Sequence, residues 1–224
     1  MSGRGPEKGQ PLMRDATKLR DMSAFAGMTF RDVLVASFND GFMEEQGQDA
    51  GAGLCVARID TPLEAMVAVA DDKALHVLEF LDRRLFGAQM EAVAKATGQR
   101  FAIAENALTR QIRTELDAYF RGETAAFDTP LAFHGTPFVQ AVWQGLLAVP
   151  AGETRSYGAL SRDLNNPKAV RAVAQANGAN RLAVIVPCHR IIGADGSLTG
   201  YGGGLWRKRW LLDHEARHFG NRLI

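Results

Sequence analysis

Ser156-Tyr157-Gly158-Ala159-Leu160-Ser161-Arg162-Asp163-Leu164-Asn165-Asn166-Pro167-Lys168-Ala169-Val170-Arg171-Ala172-Val173-Ala174-Gln175-Ala176-Asn177-Gly178 reads as two short helices joined by a tight turn. Ser156 can cap a helix over 157–164, because its hydroxyl can accept from a free first-turn amide. Asn165-Asn166-Pro167 is turn chemistry, and a second helix is expected over 168–177, stopped by Gly178. Such a pair suggests a helix-turn-helix, although paired short helices also arise from ordinary packing. The second helix carries Ala169, Val170, Ala172 and Ala174 around a single arginine, Arg171. Small residues let a helix approach a groove closely, and one arginine can reach past it.

Downstream, residues 182–186 form an apolar, β-branched run that reads as a short strand ending at Pro187-Cys188-His189-Arg190. A free thiol has a pKa of about 8.5, so it needs a basic neighbour to become a nucleophile at neutral pH. His189 supplies an imidazole, and a carboxylate behind it would hold its tautomer. Glu215 is the foremost candidate, with Asp213 and Asp195 as alternatives that sequence does not separate. Gly200-Tyr201-Gly202-Gly203-Gly204 follows, a loop whose amides could approach a flat ligand while Tyr201 packs on it. A Cys-His hydrolase is the rival reading. Cys55 reads as a buried small hydrophobe.

Upstream, Thr136-Pro137 opens a helix as cap and first-turn proline, with Phe138, Val142, Trp143 and Leu146 as its apolar stripe and Pro150 and Gly152 closing it. Residues 121–135 read as a connecting segment. Before it come helices over 83–97 and 107–120, the second capped by Asn106, ended by Gly122 and buried through Leu108, Ile112, Leu116 and Tyr119. Residues 66–69 and 75–78 read as a hairpin, 47–53 as a Gly-rich loop, 30–38 as a strand, and 1–28 as a mobile leader.

The 224 residues, 46% hydrophobic, suffice for one large or two small domains. Neither a membrane-spanning apolar run nor a secretory signal is evident, and two distant cysteines argue against a disulfide framework or a cysteine zinc site. A reduced cytoplasmic setting fits. The net charge of +1 conceals a division: 11 Lys+Arg against 5 Asp+Glu from Thr136 onward (+6), and 15 against 20 before it (−5). Attraction for a polyanion would lie in the C-terminal part, unless the imbalance reflects only two solvated surfaces.

These residues resemble the O6-alkylguanine-DNA alkyltransferase (methylated-DNA–protein-cysteine methyltransferase) family. The likeness runs from about Leu116 to Glu215. It includes Tyr119-Phe120-Arg121-Gly122, Gly135-Thr136-Pro137-Phe138, Val142-Trp143, Pro150-Ala151-Gly152-Glu153-Thr154, Ser156-Tyr157-Gly158, the segment 166–173, Asn180, Pro187-Cys188-His189-Arg190, Gly200-Tyr201 and Trp210-Leu211-Leu212. The resemblance implies an α+β fold: a ribonuclease-H-like α/β subdomain over 29–130, then a mainly helical, winged-helix-like domain over 131–224 with the helix-turn-helix. It implies irreversible, single-turnover transfer of an alkyl group from O6 of guanine in double-stranded DNA to Cys188 after base flipping, with O4-alkylthymine left open as a second substrate. Cys188 would be the acceptor, activated by His189 through a water with Glu215 behind, while Asn180 braces the surrounding turn. Tyr157 would press on a phosphate and assist recognition or departure of the guanine. Arg171 would fill the space of the extruded base, with Lys168, Ala169 and Ala172 beside it on the DNA. Ile191 and Cys188 would read the base edge by backbone groups, and Tyr201, Gly202 and Gly203 would form the pocket wall. Minor-groove binding with low sequence specificity, a monomer, no cofactor and no metal are also implied, in a bacterial, nucleoid-associated, cytoplasmic protein. One departure stands out: some relatives carry serine where this chain has Gly202, so a roomier pocket is expected. The presence of Cys188 argues against the family's non-repairing sensors, and the lack of an additional DNA-reading domain against a regulator.

Overall fold

The computed structural model describes Leu34 and residues 53–84 and 86–220. Among these residues the order is β1 (Leu54–Ile59), β2 (Met66–Ala70), β3 (Leu75–Phe80), α1 (Phe86–Thr97), β4 (Phe101–Ile103), α2 (Ala107–Phe120), α3 (Pro137–Leu147), β5 (Arg155–Ser156), α4 (Tyr157–Asp163), α5 (Val170–Gly178), a 3-10 turn (Cys188–Arg190), β6 (Ile191–Ile192) and α6 (Leu205–His218). The fold is α+β, and among the described residues no helix is long and apolar enough to cross a membrane.

The expected hairpin is β2–β3, antiparallel with Val69 opposite Val77 and Met66 opposite Phe80. Asp71 forms its turn by accepting from the amides of Lys73 and Ala74, both at 2.8 Å. β1 pairs antiparallel with β2 and parallel with β4, giving the order β3-β2-β1-β4. β2 and β3 are buried throughout because helices cover both faces of the sheet. On one face Val67, Val69 and Val77 meet Phe86, Met90 and Val93 of α1. On the other, Ala68, Leu78 and Phe80 join Ile112, Leu116, Trp143, Leu146, Val173 and the segment 182–186 in one continuous core.

Local capping chemistry explains the helix starts. Asn106 and Thr109 form a reciprocal capping box at α2, Thr136 caps α3 with Pro137 at its first turn, and the Ser156 hydroxyl accepts from Ala159 at α4. Each such cap is worth about 1 kcal/mol. The outer side of β3 is bonded by two segments from the later half. Leu75 donates to the Pro130 carbonyl (2.8 Å) and accepts from Ala132 (2.9 Å), while Leu78 donates to the Arg181 carbonyl (2.8 Å) and accepts from Ala183 (2.7 Å).

Several expectations are corrected. Residues 182–186 do not form a strand: Leu182 makes one bridge to Leu78, and then the chain coils. Ile185 donates to the Ala183 carbonyl across Val184, whose φ is +72°, and Val186 donates back to Leu182. That is a γ-turn of the left-handed kind, which costs a β-branched residue about 1–3 kcal/mol. The β-branched run favours extension locally, but Asn180 takes the hydrogen bonds a neighbouring strand would have made. The second helix of the pair begins at Val170, so Lys168 and Ala169 precede it, and Gly178 lies inside it. The helix expected from 83 begins at Phe86, leaving Arg83 in the turn after β3. Within 30–38, Leu34 is helical and not extended. The rest of that stretch, the expected leader and residues 47–52 of the Gly-rich loop lie outside the described residues.

Candidate active site

Pro187, with φ −83°, delivers the chain into the 3-10 turn, so Cys188 opens the turn with its side chain held in the core at 6% exposure. Asn180, which follows α5, organises the surroundings. Its Oδ1 accepts from Leu182 (3.0 Å), and its Nδ2 donates to the Val186 carbonyl (2.8 Å) and to Cys188 Sγ (3.2 Å). One carboxamide thus shapes the coiled turn and touches the thiol.

His189 Nε2 lies 2.8 Å from Glu215 Oε1. Glu215, wholly buried on α6, also accepts two hydrogen bonds from Arg190 (2.8 and 2.9 Å), one from the Tyr119 hydroxyl (2.8 Å) and one from the Gly152 amide (3.3 Å). Burial pushes the Glu215 carboxyl up, but the bonds and charges of His189 and Arg190 outweigh it and hold the group well below the usual range. The ionised carboxylate makes Nε2 the donor and leaves the lone pair on His189 Nδ1, a buried atom with no hydrogen-bond partner in the protein. Burial also lowers the His189 pKa, Glu215 offsetting part of the effect, so the imidazole is neutral and basic at Nδ1. Burial raises the Cys188 thiol, opposed by Asn180 and by the charges of Arg83 and Lys208. The resting pair is therefore neutral thiol and neutral imidazole. Among the described residues, Asn180 is the side chain hydrogen-bonded to Sγ, and His189 makes no direct bond to it.

The open choice among three carboxylates is resolved by position. Asp195 is exposed and bonds Ser197, and Asp213 faces outward on α6, whereas Glu215 holds the imidazole. A groove of about 680 Å³ is lined in part by Tyr157, Arg171, Tyr201, Gly202 and Arg83, the last of which acts on the Cys188 thiol through its charge. The Tyr157 hydroxyl donates to the Thr199 carbonyl (3.3 Å), tying α4 to the glycine loop. Arg171 is exposed on α5, and the groove beside it is lined by Val170 and Ala174; Lys168, Ala169 and Ala172 lie outside its lining. Gly203 has no room for a side chain, since a Cβ there would meet the Phe80 ring at 2.8 Å. The Ile191 carbonyl is held by the Lys208 ammonium.

Four groups were given no role by the sequence, although Arg190 stands in the motif itself. Arg83 and Lys208 are buried with their charges acting on the Cys188 thiol, Glu79 is buried against Arg83, and Arg190 is buried against Glu215. Lys208 also donates to the Thr199 carbonyl (2.7 Å), and burial lowers its pKa to about 8. Nothing in Arg207-Lys208-Arg209 marks the middle residue. Glu79 and Arg83, an acid and a base four apart at the end of an apolar strand, were the available signal. At Gly202, where a roomier pocket is expected, the place a Cβ would take is occupied by the Arg83 guanidinium. No cluster of His, Cys, Asp or Glu able to hold a metal occurs among the described residues.

Residues 137–217 match the family model for the 6-O-methylguanine DNA methyltransferase DNA binding domain. A methylated-DNA–protein-cysteine methyltransferase of Methanosarcina mazei is 42% identical over 161 residues, covering 71% of this chain and 96% of that protein. The protein of the same name from Mycobacterium bovis is 57% identical over 101 residues, spanning 45% of this chain and 61% of its own length. The crystal structure of Mycobacterium tuberculosis OGT in complex with DNA superposes with a TM-score of 0.64 at 39% identity, covering 75% of this chain and 96% of that one. At 42% identity over nearly the whole length of the Methanosarcina protein, the chain belongs to the methylated-DNA–protein-cysteine methyltransferase family.

Proposed function

We propose that the protein repairs DNA by moving an alkyl group from O6 of guanine to Cys188 Sγ, one lesion per molecule and without a cofactor or metal. The observation that carries this reading is a buried thiol hydrogen-bonded to Asn180, next to a neutral imidazole held by an ionised Glu215, with Arg83 acting on that thiol from a groove it lines together with Tyr157 and Arg171. Deprotonation runs from Sγ to His189 Nδ1, relayed by a water as in the family. The thiolate then attacks the alkyl carbon. The carbon–sulfur bond forms as the carbon–oxygen bond breaks, and the guanine leaves as it regains a proton, assisted by the Tyr157 hydroxyl. The thioether has no easy route back.

A stacked base is closed to in-line attack, so the nucleotide rotates out at a cost of a few kcal/mol. Arg171 offsets that cost by filling the space, and basic residues neutralise phosphates. We assign α4 and α5 as the helix-turn-helix, Arg171, Lys168, Ala169, Ala172 and Tyr157 to the DNA surface, and Ile191, Tyr201, Gly202 and Gly203 to the base pocket. In this reading the helix pair enters the minor groove with little sequence preference, and the protein acts as a monomer in the cytoplasm. Residues 29–130 form a ribonuclease-H-like subdomain supporting a winged-helix-like domain over 131–224.

Incubation with an O6-methylguanine duplex should add one methyl group to the peptide carrying Cys188, at a stoichiometry no higher than one, with no transfer to Cys188→Ala. Intact-mass and peptide-mass spectrometry read both. Multiple turnovers, or methyl on another residue, would refute the mechanism.

A further inference from the structure

We propose that Arg83 is a specificity-determining residue of this site: its guanidinium stands where the side chain of residue 202 would stand, and so limits the size of alkyl group that the base pocket admits. The inference rests on the function proposed above. A Cβ built on Gly202 would lie 2.6 Å from Arg83 Cζ and 2.7 Å from its Nε and Nη2, closer than a real Cβ comes to any atom. Gly202 is outside the left-handed backbone region, so conformation does not require glycine there. Occupied space does.

The guanidinium cannot swing aside cheaply. Nη1 bonds Glu79 and the Asn180 carbonyl (2.7 Å), and Nη2 bonds the Gly178 carbonyl (2.6 Å). Glu79 is itself fully buried, its other oxygen taking the Phe80 amide (3.0 Å). Nε is buried with no partner and is among the atoms that face position 202. Arg83 lines the same groove as Tyr157, Arg171 and Tyr201, and its charge acts on both the Cys188 thiol and the Tyr201 hydroxyl. A residue from the sheet half therefore walls the pocket with a flat, cationic edge, held across from the helix that carries Arg171. That edge narrows the room for an alkyl chain.

The test compares single-turnover transfer to Cys188 from duplexes carrying O6-methylguanine and O6-butylguanine, read by peptide mass. Glu79→Gln with Arg83→Ala removes the guanidinium without stranding a buried carboxylate. It should raise the butyl-to-methyl rate ratio by at least about tenfold, the discrimination that even one methylene can provide. Gly202→Ser should slow both substrates in the parent protein and have little effect once the guanidinium is gone. Arg83→Lys keeps a partner for Glu79 while withdrawing the planar head, and it serves as the second background should the double variant fail to fold. An unchanged ratio in folded variants, or an equal loss from Gly202→Ser in every background, would overturn the assignment. Absence of transfer by the parent protein from either duplex would instead remove the proposed function, and this inference with it.

Discussion

Glu215 gathers His189, Arg190, Tyr119 and Gly152 onto two oxygens, so its ionisation orients the imidazole and joins four elements at one point. With His189 lowered from 6.5 by burial, the ring stays neutral, and able to accept the thiol proton, below the pH at which a free imidazole would charge. The single-turnover rate should therefore be level across neutral pH and decline only on the acid side of 6.5. His189→Gln should abolish the plateau. Thiolate would then come only from direct ionisation of a thiol raised by burial, and the rate should climb about tenfold per pH unit through neutrality. A variant with the parent profile would clear His189 of the role of base. Stability follows the same sign for both groups. Their folded pKa values are depressed, so the contribution is present above the unfolded values and is lost as pH falls, first through His189 and then through Glu215.

The pair α4 and α5 presents Arg171 beside the groove that holds Tyr157 and Tyr201. If Arg171 offsets the cost of an extruded base, Arg171→Ala should slow transfer from duplex by roughly tenfold to a hundredfold, the cost of an unstacked base being a few kcal/mol. Reaction with free O6-benzylguanine, which needs no extrusion, should change little. Equal losses in the two assays would end that role. Elements such as α2, α3 and α4 were legible because an Asn, Thr or Ser cap acts within three residues of its own position. Cys188 and His189 were legible through the Pro-Cys-His-Arg motif, whereas Glu215 stood level with Asp213 and Asp195 until the family resemblance singled it out. The segment 182–186 was not, because its shape depends on the Asn180 carboxamide and on Leu78, far away in sequence. The Arg83–Gly202 contact joins the two halves of the chain and leaves no local trace. β1 was missed for a different reason: buried on both faces, it lacks the alternation that marks a half-exposed strand.

The charge division, +6 from Thr136 onward and −5 before it, places the cationic surface on the half that carries α4 and α5. DNA affinity should therefore weaken at least tenfold between about 50 and 200 mM salt, as bound counterions are no longer released to advantage. Fluorescence anisotropy with undamaged duplex would measure this, and a flat response would mean that phosphates are not what the protein holds. The two halves are not independent, however. One continuous core runs from the sheet into α3 and α5, and the outer side of β3 is bonded by residues 130–132 and 181–183. Severed at the connecting segment, the sheet half would carry a six-residue, largely apolar edge strand whose amides and carbonyls had lost their partners. Such edges recruit one another, so a fragment cut where the sequence looks divisible would self-associate; the later half serves the earlier one as its protection against aggregation.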